Sequence, residues 1–363
     1  MPIVGAPDLE QTFGTAHAAL ALVVFLVPGL IALAVEPAIF LLADRYPRRW
    51  FIRTGVAVMA AGVFVAAAAP GPWTFSLALS IVWIASGVSS SLAQATLVDR
   101  WPDQRGKTLA RWTLWSLGGD LVAPALLAVL ALAGFGWRVG LALVGALLFA
   151  WFVALVLLRD PDDTKGPPVE DEQTPSLLEA LRDALKDRVL VGWLFGATLC
   201  DLLDEILVVF ASLHLRIELG AGPVWQDAVI ASMMIGGALG LFVLEKLLRV
   251  RSERWLLAAS AIGTVVTYVP WLAAPTPWLS MLLALPVGAF SSVLYPLTAA
   301  QAYARRPDAS GSVLAAGHLF TPLGLAFPFA LGAIADATGT TVALALLALQ
   351  PLGLLVLVAT TRR

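Results

Sequence analysis

Residues 68–73 read AAPGPW, and 205 residues further on residues 273–278 read AAPTPW. In an apolar chain, Ala and Leu match by composition alone, whereas proline and tryptophan at fixed spacing do not, so this pair marks an internal repeat. The same offset runs without a gap from Arg49 to Gly119. It aligns Arg49-Trp50 with Arg254-Trp255, and Arg100-x-Pro102-Asp103-x-x-Gly106 with Arg305-x-Pro307-Asp308-x-x-Gly311. Matched segments carry basic loops on the same side, so the repeat is parallel, with its pseudo-two-fold axis along a membrane normal.

The chain between these landmarks is too apolar for water. Of 363 residues, 59% are hydrophobic and 13% charged, and the mean hydropathy is +0.86, which predicts an all-α integral membrane protein and excludes a large soluble catalytic module. A hydrocarbon core of ~30 Å takes about 20 apolar residues per crossing. Runs of that length fall at 18–43, 50–69, 73–98, 108–133 and 137–158, and again at 189–213, 224–248, 254–273, 277–303, 311–336 and 340–360. The expected organisation is an N-terminal transmembrane half of five helices over 1–158, a polar cytoplasmic linker over 159–188 with a short amphipathic helix from Ser176 onward, and a C-terminal half of six helices over 189–363. Met1 aligns with Ile206, inside the sixth span, so the partner of that span is expected before Met1. The first helix is read as missing from the first repeat, with about 11 transmembrane helices present.

Twenty-one of the 23 basic residues fall in alternate loops, leaving only Arg138 and Arg216 on the other side. The basic set faces the cytoplasm by the positive-inside rule, which also puts the C-terminus there. Trp73 and Trp278 read as interfacial anchors. The single cysteine, Cys200, gives neither an internal disulfide nor a metal cluster. The first eleven residues carry no basic residue, so no cleavable signal is expected.

Two parallel repeats joined by a cytoplasmic linker resemble the major facilitator superfamily of secondary transporters, over nearly the whole chain. That family carries G-x-x-x-D-R-x-G-R-R after its second helix. Here Phe40-x-x-x-Asp44-Arg45-Tyr46-Pro47-Arg48-Arg49 keeps the acid and the basic residues and departs at both glycines. The loop Arg100-Trp-Pro102-Asp103-Gln-Arg105-Gly106-Lys107 and the stretch Gly332-Ala-Ile-Ala-Asp336-Ala-Thr-Gly339 also look like that family. The resemblance implies that Asp44 braces a cytoplasmic helix terminus, whose dipole suits a carboxylate. It further implies that Arg45, Arg48, Arg49, Arg100 and Arg105 control a cytoplasmic gate. It implies a small organic solute and protons as partners, a monomer in the bilayer of a bacterial inner (plasma) membrane, no nucleic acid and no cofactor.

A charge at mid-bilayer costs ~2.5–3.5 kcal/mol on insertion scales, which makes intramembrane acids functional candidates. Asp201, Asp204 and Glu205 stand at i, i+3 and i+4 on one helix face, where mutual repulsion and desolvation favour retention of a proton. They are candidates for proton coupling or substrate contact. Asp120 is a further one, lying within Gly119-x-x-x-Ala123-Pro124, which loosely resembles an antiporter element of the same superfamily. Glu36, before Pro37, reads as a gate residue or a snorkelling acid, and Glu245-Lys246 as a snorkelling pair. His318 reads as a packing residue or a proton relay. Ser86, Ser89, Ser90, Ser91, Ser291 and Ser292 read as close-packing faces, and Pro286, Pro296, Pro322 and Pro328 as places where helices can bend.

No span has a mid-depth Lys or Arg, which disfavours strongly anionic solutes, and the chain contains no asparagine. Acid together with Trp83, Trp112, Trp115, Trp193, Tyr268 and Tyr295 suits a cationic or amphiphilic organic molecule. No Ser/His/Asp set, metal-ligand cluster or phosphate-binding glycine loop points to an enzyme. The expected function is proton-coupled efflux by alternating access. The alternatives are proton-coupled nutrient uptake and a non-transporting membrane sensor or assembly protein on the same fold.

Overall fold

Backbone facing lipid must satisfy its hydrogen bonds within its own segment, and every regular element among the described residues is a helix. The computed structural model describes residues 6–15, 20, 22–158, 176–307 and 309–361. After α1 (Ala6–Phe13), a π-helical turn (Leu22–Leu26) leads into α2 (Val27–Leu42). Then come α3 (Arg48–Ala68), α4 (Pro72–Arg100), α5 (Arg105–Leu132), α6 (Trp137–Leu157) and the short α7 (Leu177–Lys186). The remainder comprises α8 (Arg188–Glu218), α9 (Pro223–Leu247), α10 (Glu253–Leu272), α11 (Pro277–Ser291), α12 (Leu294–Arg305), α13 (Ser310–His318), α14 (Thr321–Thr338), α15 (Thr340–Leu347) and α16 (Leu349–Thr360).

Nine stretches among the described residues are long and apolar enough to cross a membrane. The longer helices α5 and α8, which carry Asp120 and the Asp201, Asp204, Glu205 trio, are not in that set. Helix ends recur at the 205-residue offset: α3 spans 48–68 against 253–272 for α10, and α4 spans 72–100 against 277–305 for α11 with α12. The helix expected from Ser176 is α7, opened by a reciprocal cap. The Ser176 N–H donates to Glu179 Oε2 at 2.7 Å and the Glu179 N–H to Ser176 Oγ at 3.2 Å, a capping box.

Three interruptions of the later helices share one cause. A proline has no N–H to give the carbonyl four residues back, and its ring crowds that carbonyl. α11 stops at Ser291–Ser292, four residues before Pro296; α13 stops at His318, four before Pro322; α15 stops at Leu347, four before Pro351. Pro37, Pro270, Pro286 and Pro328 stay inside continuous helices.

The chain divides into two compact units: residues 1–97, 118–183 and 309–319 form the first, and 98–117, 184–308 and 320–363 the second. Each half of the sequence thus contributes one short segment to the unit built mainly from the other half. The two segments are repeat-related, since the offset carries 98–117 onto 303–322.

In the first unit α3 runs along α6 and α13 lies against α2. Phe13, Phe75 and Trp137 stack with centroids 5.5–5.9 Å apart, and Phe40, Leu41, Val88, Leu92 and Ala315 form a second buried cluster. Arg138, one of the two basic residues outside the set expected to face the cytoplasm, donates to the Ala67 and Ala69 carbonyls at 2.6 and 2.8 Å. Its charge is spent on the C-terminus of α3, where a cation complements the helix dipole.

In the second unit, α9 and α11 meet through glycine. A Cβ on Gly236 would run into the Leu285 carbonyl, one on Gly240 into the Ala289 carbonyl, and one on Gly288 into the Met233 carbonyl. Such small-residue contacts let membrane helices approach closely where no hydrophobic drive separates lipid from protein. Leu203, Leu207, Phe210, Tyr268, Trp271 and Leu344 form the main core of this unit.

Candidate functional site

Helix N-termini leave backbone N–H groups without intrahelical partners and carry partial positive charge, so they attract carboxylates. Two carboxylates in this chain answer that need from far away in sequence. In the first unit, Asp44, just past α2, accepts the N–H of Gly311 on Oδ1 at 2.8 Å and the N–H of Ser312 on Oδ2 at 2.8 Å. Its Oδ2 also accepts the Ser312 hydroxyl at 3.0 Å. Arg48 completes this clamp: one nitrogen donates to Asp44 Oδ1 at 3.2 Å and to Ser310 Oγ at 2.7 Å. Asp44 thus sits on the amides of the first turn of α13.

In the second unit, Glu253 Oε1 accepts the N–H of Gly106 at 2.7 Å, in the first turn of α5. Its Oε2 accepts from Gln301 Nε2 at 2.8 Å, and Arg254 holds Gln301 through a 3.1 Å bond. Gly106 and Gly311 are exact repeat partners, so both clamps seize the same point of the repeat. The acids are not partners: the residue equivalent to Glu253 is Arg48. Charge-assisted bonds of this kind are about twice as strong as neutral ones.

The remaining gate candidates are dispersed. Arg45 and Arg49 are half-buried beside the Asp44 clamp, Arg105 is half-buried at the start of α5, and Arg100 is exposed, with its guanidinium over the Trp101 ring. Glu36 does not belong with them. It is 4% exposed, and its Oε2 lies 3.2 Å from His318 Nε2, close in distance although misaligned for a hydrogen bond. Phe40 meets the imidazole edge-on at 5.8 Å, and a Cβ at Gly87 would overlap the Glu36 carboxylate, so α4 closes over it. Snorkelling is thereby corrected for Glu36, whose carboxylate faces inward.

Glu245, half-buried, pairs with Arg111, and Lys107 lies 3.8 Å away. Lys246 sits over the Phe242 ring. Asp187, between α7 and α8, caps α8 by accepting from Val189 and Leu190 at 3.0 and 3.1 Å, and Arg305 donates to its other oxygen at 2.9 Å. Burial opposes ionisation of this group, but the two amides and Arg305 outweigh it and hold the carboxyl below its usual range.

Among the coupling candidates, Asp201 is exposed and Asp204 half-buried on α8. The side chains of Glu205 and Asp120 lie outside the described residues, although both positions are helical. Trp115 is 81% exposed while Trp193 is fully buried, and Tyr268, 2% exposed, donates to the Leu344 carbonyl at 2.9 Å. Trp193 and Tyr268 are core residues, taken out of the solute-contacting set by packing that sequence periodicity does not reveal. Of the serines, Ser89 lies against Gly55 and Ser292 against Gly237, whereas Ser90 is exposed; the Ser89 and Ser90 hydroxyls donate to carbonyls of their own helix at 2.7 Å.

Sequence reasoning missed Glu253, Gln301 and the meeting of Glu36 with His318. The offset that pairs Gly106 with Gly311 was the available signal for a second clamp; nothing local marks Glu253 as its acid. It also missed His214, buried on α8 with its Nδ1 3.4 Å from the Thr340 hydroxyl, which itself donates to Glu218 at 3.0 Å.

A family model described as Major Facilitator Superfamily matches residues 1–200. No curated protein is similar enough in sequence to count as a relative. Among solved structures, a Major Facilitator Superfamily transporter, FucP, in the outward conformation aligns with a TM-score of 0.76 at 15% identity. The match covers 99% of this chain and 94% of that one. The E. coli fucose:proton symporter FucP gives 0.75 at 16%, over 99% and 94%. A bacterial homologue of the iron transporter ferroportin in the outward-facing state gives 0.73 at 16%, over 98% and 93%. At such identities the likeness is one of fold.

Proposed function

The chain belongs to the major facilitator superfamily, and from that membership we propose that it is a secondary active transporter moving a small organic solute by alternating access, coupled to protons, in the direction of efflux. The observation that carries this reading is the pair of clamps at Gly106 and Gly311. Alternating access needs contacts between the two sequence halves that form and release repeatedly. A carboxylate on helix-terminal amides suits that role, because water can replace it at a small net cost, typically about 1.5–3 kcal/mol for bonds to a charged group. Asp201, Asp204, Glu205 and Asp120 are the proposed coupling or solute-binding acids, and the solute class they suit is cationic or amphiphilic. Proton-coupled uptake is the second reading, favoured by one observation: a structural neighbour is a fucose:proton symporter.

The test uses the full chain in proteoliposomes with an internal pH dye, to which organic cations and neutral amphiphiles are added in turn under an imposed proton gradient. The expected result is a compound-dependent pH change that is lost in Asp201→Asn. A panel response identical with and without the protein would overturn proton-coupled transport of this class.

A further inference from the structure

Neither clamp uses the contact between Glu36 and His318. Glu36 is the only titratable residue of α2, and His318 the only one of α13. Glu36 precedes Asp44 by eight residues and His318 follows Ser312 by six. At 1.5 Å per residue, this contact and the Asp44 clamp tie the same two segments together at points about 10 Å apart. α4 presents Gly87 at this level. Its charged residues, Asp99 and Arg100, lie at its far end. Arg48, Arg49 and Arg53 lie on α3, and Glu179, Arg182 and Asp183 on α7, and among the described residues Glu36 and His318 each have the other as ion-pair partner. The pair's charge is therefore settled between its two members.

We propose that Glu36 and His318 form a proton-binding latch between α2 and α13, closed when the pair holds one proton and released when it gains a second or loses its only one. With one proton the pair is neutral overall, either as carboxyl and imidazole or as carboxylate and imidazolium, and a neutral pair is tolerated in a dry site. A second proton leaves an imidazolium with no counter-charge, and loss of the proton leaves a bare carboxylate. A buried group in either state draws in water, which requires the two helices to part. The Asp44 clamp, on the same helices, opens with it. The latch rests on the reading of the chain as a proton-coupled transporter and adds the place where a proton is held.

Hydrogen exchange of the full chain in lipid nanodiscs, read on peptides covering 309–319 and corrected for the intrinsic pH dependence of exchange, reports the Gly311 and Ser312 amides directly. Wild-type protection is expected to pass through a maximum and to fall by tenfold or more on both the acid and the alkaline side. Glu36→Gln, which cannot become negative, should lose the alkaline fall and keep the acid one. His318→Gln, which cannot become positive, should lose the acid fall and keep the alkaline one. Gly87→Ala retains both titratable groups but displaces the carboxylate, and should shift both limbs. A flat wild-type profile overturns the latch. So does an acid fall that survives in His318→Gln, which would belong to Asp44, or a wild-type curve in Gly87→Ala. The measurement needs no solute, so its failure leaves the transport proposal standing, and a silent transport assay leaves this result intact.

Discussion

Asp44 meets amides 267 and 268 residues away in sequence, and this one side chain shows how much of a site a motif can carry. Its acid and the flanking arginines were legible through the resemblance of Asp44-Arg45-x-x-Arg48-Arg49 to a family motif. Its partner was legible only as a helix terminus, since a backbone N–H leaves no mark in a sequence. Asp44→Asn keeps the shape and removes the charge. It is expected to cost about 1.5 kcal/mol and to speed exchange of the Gly311 and Ser312 amides about tenfold; unchanged exchange would remove the clamp from the account. Asp187 gives a pH-dependent counterpart. Its carboxyl is held below the usual range, so its contribution is complete above the unfolded value of about 3.9 and is lost as pH falls through the lower folded value. Asp187→Ala is expected to lower stability by about 1 kcal/mol at pH 7, the usual size of a lost helix cap. The difference in thermal midpoint between wild type and variant should narrow below about pH 4.

At the scale of helices, nine of the eleven expected spans have a counterpart that is long and apolar enough to cross a membrane, and the offset of 205 residues recurs in the helix ends of α3 with α10 and of α4 with the α11–α12 pair. The interruptions were less legible. Pro296 and Pro322 end helices while Pro286 and Pro328 do not, because the outcome depends on whether packing can accommodate the lost hydrogen bond, and that is a property of the neighbours. The glycine contact between α9 and α11 was hidden for the same reason: a glycine that touches a carbonyl and one that faces open space read alike in sequence. Gly236→Ala places a methyl group against the Leu285 carbonyl and is expected to destabilise by about 1–3 kcal/mol, the range for overpacking. Gly118→Ala has nothing within 4 Å to meet and should be neutral or stabilising by up to about 1 kcal/mol, from helix propensity alone. Thermal midpoints of the two variants in the same detergent decide the matter, and equal losses would refute the close approach.

For the molecule as a whole, composition and the repeat made the fold legible, and the fold alone leaves the solute open. The acids proposed to couple protons were readable as anomalies in an apolar chain. The Glu36 and His318 contact was not, because it joins residues 282 positions apart whose neighbours in sequence are unremarkable. Combining Asp44→Asn with Glu253→Gln should speed exchange in both the 309–319 and the 105–110 segments, whereas each single change should act only in its own segment. Loss of protection in both segments from either single variant would show that the clamps are not separate devices. At the 205-residue offset the glycine at the helix start stands in both halves, while the acid that grips it comes from the end of one helix in one case and from the start of another in the other. The socket repeats and the plug does not, so the symmetry of the two halves is carried by the receiving backbone and not by the charged side chain.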